Sequence, residues 1–123
     1  MSEEKKLRVV MVEPGKPAYE MEIENTLKAE QKAVGGYIEV LPLDNGKLLI
    51  CNEEGKLNGM RGNRRIGNDV IAGPFFIVGE DGDEFRSLTD EEVKASLKRF
   101  AEPEEISQEE VENALSAGVM FFG

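Results

Sequence analysis

The stretch that most restricts the fold is "YIEVLPLDNGKLLICN", residues 37–52. Two apolar runs that are rich in β-forming residues flank Asn45-Gly46. This pair favours a type I′ turn, because both residues tolerate a positive φ. The stretch therefore predicts a β-hairpin, and the fold has to accommodate an antiparallel strand pair here.

The N-terminal part predicts a second hairpin and a short helix. Leu7 to Val12 has the composition of a strand that stops at Pro14-Gly15, and "AYEMEI" alternates apolar and acidic residues as a half-buried strand does. Asn25 is the expected N-cap of a helix over "TLKAEQKAV", which ends at Gly35-Gly36.

The C-terminal part predicts a further strand pair and two helices. Phe75 to Val78 is expected to be a strand, with a turn at Asp81-Gly82 and a short return through Phe85. Two capping boxes, each a hydroxyl residue with a glutamate three positions later, predict helices that stop at Pro103 and at Gly118. The boxes are Thr89 with Glu92 and Ser107 with Glu110.

Together these elements predict one α+β domain over residues 1–123. We expect a mostly antiparallel sheet with helices on one face, two of them C-terminal. Residues 1–88 would form the sheet-rich part with one helix, and residues 89–123 would hold the acidic helices and an apolar tail. The tail, "VMFFG", is expected to cover either the domain's own core or a neighbouring copy in a homo-oligomer.

The composition excludes several classes of chemistry. The chain has no histidine and a single cysteine, so it lacks the commonest general base, zinc sites of the Cys/His type and Ser-His or Cys-His nucleophilic pairs. We therefore expect a protein that is not an enzyme and that uses no metal and no cofactor. A charged N-terminus, one cysteine and no apolar run near the roughly 20 residues of a bilayer span predict a cytoplasmic protein without membrane contact.

Acidic residues dominate the C-terminal part of the chain. The formal net charge is -10, and residues 80–112 hold 13 acids and 4 bases. Such a field repels phosphate backbones, so it disfavours direct binding of DNA or RNA.

A cationic stretch stands out against this acidity. Between Gly55 and Asn68 there is no acid, and the bases are Lys56, Arg61, Arg64 and Arg65. Arginine forks match phosphate or carboxylate groups, and glycines let a backbone approach a ligand. The stretch "NGMRGNRRIGN" is therefore predicted to be a flexible anion-binding loop. The alternative is that its arginines only pair with the acidic C-terminal helices.

Aromatic side chains form a second candidate site. Tyr37, Phe75 and Phe76 lie near the loop in sequence, and adjacent phenylalanines on a strand point to opposite faces. One of the two phenylalanines could then lie outside the core and stack on a nucleobase. The alternative is that both are buried, one against the helix layer and one in a subunit interface.

Several motifs resemble a domain family of unknown function carried by phages, prophages and plasmids of Firmicutes-type bacteria. They are "VEPGK", "GGYIEV", "CNEEGKLNG", "NRR", "GPFFIVG" and "SLTDEE", and the resemblance covers Val12 to Phe100. This context implies a role in immune evasion. Some small phage proteins sequester nucleotide signals of bacterial defence, as anti-Thoeris proteins do, and others are acidic DNA mimics or nuclease inhibitors such as anti-restriction and anti-CRISPR proteins.

Three functional hypotheses follow from these features. In the first, the protein sequesters a small phosphorylated nucleotide: Arg61, Arg64 and Arg65 hold phosphates, Asn63 and Asn68 contact sugar or base, and an aromatic residue stacks. In the second, it is an acidic inhibitor that fills the basic cleft of a host defence nuclease with Glu92, Glu102, Glu104, Glu105, Glu109 and Glu110. In the third, Glu53 or Glu54 beside Lys56 performs acid-base hydrolysis.

Overall fold

The computed structural model of the protein describes the backbone of residues 5–120 and the side chains of residues 5–115. The strands are β1 (Lys6–Val12), β2 (Tyr19–Glu24), β3 (Ile38–Pro42), β4 (Lys47–Asn52), β5 (Gly62–Ile66), β6 (Asp69–Ala72), β7 (Phe75–Asp81) and β8 (Glu84–Arg86). The helices are α1 (Leu27–Val34), α2 (Asp90–Arg99) and α3 (Gln108–Met120).

The main sheet is antiparallel, with the strand order β2-β1-β7-β4-β3 and with β8 paired to β7. Strands β5 and β6 form a separate two-stranded sheet. The expected α+β class is therefore confirmed, as is the expected hairpin of β1 with β2.

The hairpin at Asn45-Gly46 is also confirmed. Strands β3 and β4 pair in antiparallel register, with Leu41 opposite Leu49. Asn45 has a φ of 55° and Gly46 a φ of 76°, so both occupy the left-handed region that a type I′ turn requires. The turn is closed by the Lys47 amide, which donates to the Asp44 carbonyl at 3.2 Å.

Helices cover both faces of the main sheet, so the expectation of helices on one face is wrong. In β1, Leu7, Val9 and Met11 pack on one face together with Val34 of α1. Val10 and Val12 pack on the other face together with Val93 of α2. The physical reason lies in the central strands, which are continuous apolar runs without a solvent-facing side and therefore need cover on both faces.

The helix ends require four corrections. Helix α2 ends at Arg99, before the predicted stop at Pro103. Thr26, not Asn25, caps α1: its hydroxyl accepts from the Ala29 amide at 3.1 Å, while the Asn25 amide donates to the Lys5 carbonyl beside the β1–β2 pair. The Ser107 hydroxyl accepts from the Glu110 amide as predicted, but the Glu110 carboxylate binds elsewhere. Helix α3 continues through Gly118 to Met120.

Two other helix ends are as predicted. Gly35, with a φ of 80°, ends α1, and Thr89 and Glu92 form the complete capping box of α2. Residues 121–123 and the side chains of Val119 and Met120 lie outside the described residues, and with them the proposed contact of the apolar tail.

We expect the double substitution Asn45→Ala/Gly46→Ala to lower the free energy of unfolding by about 1–3 kcal/mol, because alanine in the left-handed region is strained. A side chain at Gly46 would meet only the Arg86 guanidinium, at 3.5 Å, so the loss would come from the backbone. Urea denaturation measures it, with Lys28→Ala on the exposed face of α1 as the control. Unchanged stability of the double variant would contradict the turn assignment.

Candidate functional site

The cationic stretch is not one flexible loop. Its second half is strand β5, which pairs with β6 so that Arg65 lies opposite Val70 and Ile66 opposite Asp69. A β-bulge lies between Gly62 and Arg64. Hairpin formation therefore gives each basic side chain of β5 a fixed direction, and the two arginines of β5 have different surroundings.

Arg64 points into the protein and is only 1% exposed. Its guanidinium donates to the Lys16 carbonyl at 2.8 Å, to the Phe100 carbonyl at 2.9 Å, and to the Asn63 carbonyl and side-chain oxygen at 3.1 and 2.8 Å. Desolvation lowers the pKa of Arg64. The prediction that Arg64 contacts a phosphate is wrong, because the N–H donors of its guanidinium face the interior of the protein.

Asn63 belongs to the same internal network. Its side chain is fully buried, and its amide nitrogen donates to the carbonyls of Val12 and Gly73, both at 2.9 Å. A ligand would have to displace these bonds, so Asn63 is a structural residue here and not an accessible polar contact.

Arg65 points outward and is held by the acidic C-terminal segment. Its guanidinium donates two hydrogen bonds to the Glu110 carboxylate, each 2.7 Å long, and one to the Glu104 carboxylate at 3.0 Å. The hydrogen bond from Arg65 lowers the pKa of Glu110. For Arg65, the alternative that the arginines pair with the acidic helices is therefore the one that the geometry supports.

Arg61 is exposed, and its side chain makes no hydrogen bond or ion pair with any described residue. Its guanidinium lies over Gly15, where an added Cβ would be 2.9 Å from Nη2. It borders a cavity with Glu105, Ile106 and Ser107. Asn68 is exposed in the β5–β6 turn, so these two residues of the stretch are accessible to a ligand.

Phe75 and Phe76 are both fully buried, on opposite faces of the sheet. Phe75 packs edge-on against Phe100 with the ring centres 5.4 Å apart. Of the two alternatives, burial of both rings is the one that the structure shows, because both faces of β7 are covered. Neither ring can stack on a ligand.

The structure brings Tyr37 and Lys56 to one cleft, which we call the Tyr37–Lys56 cleft. It consists of a cavity of about 330 Å³ and an adjoining depression of about 270 Å³, which share Asn52 and Glu54. The Tyr37 side of the cleft also includes Gln31, Gly35, Gly36 and Asn58, and the Lys56 side includes Glu39, Cys51, Glu53 and Asp69. Tyr37 is 69% exposed at the rim.

Local hydrogen bonds fix the wall between the two parts of the cleft. The Asn52 amide nitrogen donates to the Val34 carbonyl at 3.2 Å, and its oxygen accepts from the Glu54 amide at 2.8 Å. A side chain at Gly55 would lie 2.4 Å from the Ala72 carbonyl oxygen, so only glycine allows the turn to approach β6 here.

The charge of the cleft is unfavourable for phosphate. Four carboxylates line it, and the Lys56 ammonium is already held by Asp69 at 2.6 Å. Burial raises the pKa of the Cys51 thiol to about 12, so this thiol stays protonated at neutral pH and is no nucleophile. Lys56 pairs with Asp69 and not with Glu53 or Glu54, the partners that the hydrolase hypothesis requires.

Sequence reasoning missed one buried acid, Glu30 in α1, which is 6% exposed. The signal was helical spacing: Glu30 precedes the core residue Val34 by four positions and therefore lies on the same face of the helix.

Among residues 5–120, no group of three or more candidate ligands is placed to hold a metal ion, and no helix has the length and apolarity to cross a membrane.

These features define a small acidic α+β domain with a buried arginine network and an open acidic cleft. The chain belongs to the DUF3846 family, a domain of unknown function whose family model matches residues 7–101. Searches of curated proteins and of solved structures find no match. Helix α3 lies beyond the matched range, although it contacts β6 and supplies Glu110 to Arg65.

We expect Arg64→Met to lower the free energy of unfolding by about 3 kcal/mol, because buried carbonyls lose their donor at about 1–3 kcal/mol each. Arg65→Met should cost less than about 1 kcal/mol, since its ion pairs are partly exposed. Urea denaturation of the two variants tests this difference. Equal losses would contradict the separate roles of the two arginines.

Proposed function

We propose that this protein is a non-enzymatic binding protein that places its acidic surface against a basic surface of another macromolecule. One observation carries the proposal: several glutamates of the acidic segment have no basic partner among the described residues, although Arg61 lies near Glu105. Arg65 neutralises Glu104 and Glu110. Glu102, Glu105 and Glu109 are exposed, and their side chains form no ion pair with any described residue.

The six glutamates of the inhibitor hypothesis therefore have two different roles. Glu92 is bound by Arg86 at 2.8 and 3.0 Å, and this pair with the capping box lowers its pKa to about 2. Glu104 and Glu110 hold the segment after α2 to strand β5 through Arg65. The three remaining glutamates are the available contacts for a partner.

The internal pairs also preorganise these available contacts. Glu105 and Glu109 belong to a segment whose backbone is fixed at one end, because the Glu105 carbonyl accepts from Arg65 at 3.2 Å. Ile106 and Val111 pack against Gly62, where an added Cβ would be 2.6 Å from the Ile106 side chain. A rigid acidic surface loses little conformational entropy on binding, which favours affinity.

The family resemblance supplies the context of the proposal. In a phage or another mobile element, an acidic binding protein would serve immune evasion by imitating the charge of DNA in the basic cleft of a host nuclease. Its site of action would then be the cytoplasm of the infected or lysogenic bacterium. Restriction and CRISPR nucleases are the partners that this proposal names for testing.

We expect the parent protein to inhibit DNA cleavage by at least one enzyme in a panel of restriction and CRISPR nucleases. Glu105→Lys/Glu109→Lys should weaken that inhibition by about tenfold or more, equivalent to about 1.4 kcal/mol. Glu22→Lys/Glu24→Lys makes the same charge change on exposed residues of β2 and should retain it. Absence of inhibition across the panel, or equal loss in both variants, would reject the proposed surface.

A second candidate function is sequestration of a nucleotide signal in the Tyr37–Lys56 cleft. The observation in its favour is the exposed Tyr37 ring beside the amides of Asn52 and Asn58, a combination that suits a nucleobase. The carboxylates on the Lys56 side oppose phosphate groups, so the geometry supports this function less than the first.

Calorimetry with cyclic ADP-ribose isomers and cyclic oligonucleotides tests the second function. If a member of this panel binds, Tyr37→Ala should weaken it by about 1–3 kcal/mol through loss of stacking. Tyr19→Ala, which changes an exposed tyrosine on β2, is the matched control. Lack of binding at about 10 μM across the panel would exclude sequestration of these signals.

A further inference from the structure

Glu30 lines a second acidic pocket, at the start of helix α1. The pocket has a volume of about 240 Å³. One wall is formed by Asn25, Thr26, Leu27 and Glu30, and the other by Asp83, Glu84 and Phe85 of the β7–β8 turn and strand β8. We call it the Glu30 pocket.

Glu30 differs from an ordinary surface glutamate because it is more than nine-tenths buried, with 6% of its surface exposed. Its side chain has no hydrogen bond or ion pair with any described residue. Desolvation accordingly raises the pKa of this carboxyl group. Partial desolvation of a carboxylate that has no partner is unfavourable, and the first turn of a helix offsets only a small part of that cost. The Glu30 oxygens are not among the fully enclosed polar atoms, so the carboxylate reaches the pocket.

The charged residues that line the Glu30 pocket are all acidic. Asp83 and Glu84 face it from the β7–β8 side, and no lysine or arginine lines the described walls of the pocket. The other strands that pack against α1 add no charged group to these walls. Leu27 and Phe85 contribute apolar surface beside the carboxylates. The pocket thus combines an unpaired buried anion, two exposed anions and a short apolar wall.

We propose that the Glu30 pocket binds an organic cation, a primary ammonium or guanidinium group on an alkyl chain. Glu30 would pair with the charged head, Asp83 and Glu84 would attract it at the entrance, and Leu27 and Phe85 would cover the alkyl chain. A metal ion fits less well, because no group of three ligands in the described chain is arranged to hold one.

Such a group could belong to a free amine or to a lysine side chain of a protein. Only a lysine side chain as the source depends on the function proposed above, since a basic partner protein would then insert that side chain into the pocket. Two probes separate the sources: n-butylammonium, and an acetylated and amidated hexapeptide with one central lysine. Binding of both shows that the group alone suffices, whereas binding of the peptide alone assigns the pocket to a protein partner.

Calorimetry and thermal melts with both probes test the pocket, with 1-butanol as the uncharged control. We expect at least one of the two cationic probes to bind and to raise the melting temperature at millimolar concentration, and 1-butanol to have no effect. Glu30→Gln should weaken binding at least tenfold while it raises the melting temperature of the free protein at neutral pH, because it removes an unpaired buried charge. Glu91→Gln, an exposed acid of α2, should change neither.

The pH dependence gives an independent measurement. Binding should be lost as the pH falls through the raised pKa of Glu30, at a higher pH than an exposed glutamate would require. Should Glu30→Gln fail to fold, Asp83→Asn/Glu84→Gln on the exposed turn should still reduce affinity severalfold. Equal binding by Glu30→Gln, no binding of either cation, or stabilisation by calcium chloride alone would overturn the proposal.

Discussion

The buried guanidinium of Arg64 is the interaction on which the arrangement of this domain most depends. It joins three parts of the chain that no strand pairing connects: strand β5, the turn between β1 and β2 at Lys16, and the end of α2 at Phe100. A charge in the interior is costly unless its donors find acceptors. Here the two terminal nitrogens of Arg64 donate to four oxygens in place of a carboxylate partner, while the buried Nε has no partner among the described residues. The hairpin of β5 and β6 is thereby held against the main sheet.

This use of arginine explains why so acidic a chain keeps a cationic stretch. Arg64 and Arg65 stabilise contacts within the protein, one in the interior and one against the acidic segment. Their positive charges are therefore not available to an anion in the way that the sequence suggested. The excess acid remains on the surface and in two pockets, and this charge is the basis for proposing a cationic partner rather than a phosphate.

Local signals in the sequence predicted much of the fold, and non-local packing accounts for most of what they missed. The Asn45-Gly46 turn and the Thr89 capping box depend on residues close in sequence, so both could be predicted. Strand β5 could not be predicted, because its sequence is polar and the strand contains a bulge. The Arg64 side chain on this strand donates to carbonyls that are 36 and 48 residues away in sequence. The aromatic prediction failed for a related reason: cover on both faces of β7 leaves neither phenylalanine exposed.

The two proposed acidic sites lie on opposite sides of the main sheet. Helix α1, which carries Glu30, packs on the face of Val9 and Phe76. The β5–β6 hairpin, which holds the segment of Glu105 and Glu109 through Arg65, packs on the face of Phe75 through Ile71. A compact partner cannot cover both without passing around an edge strand. Because sites that share no contacts have nearly additive energies, a cation in the Glu30 pocket should leave binding at the other surface unchanged, unless one partner is long enough to wrap around the domain.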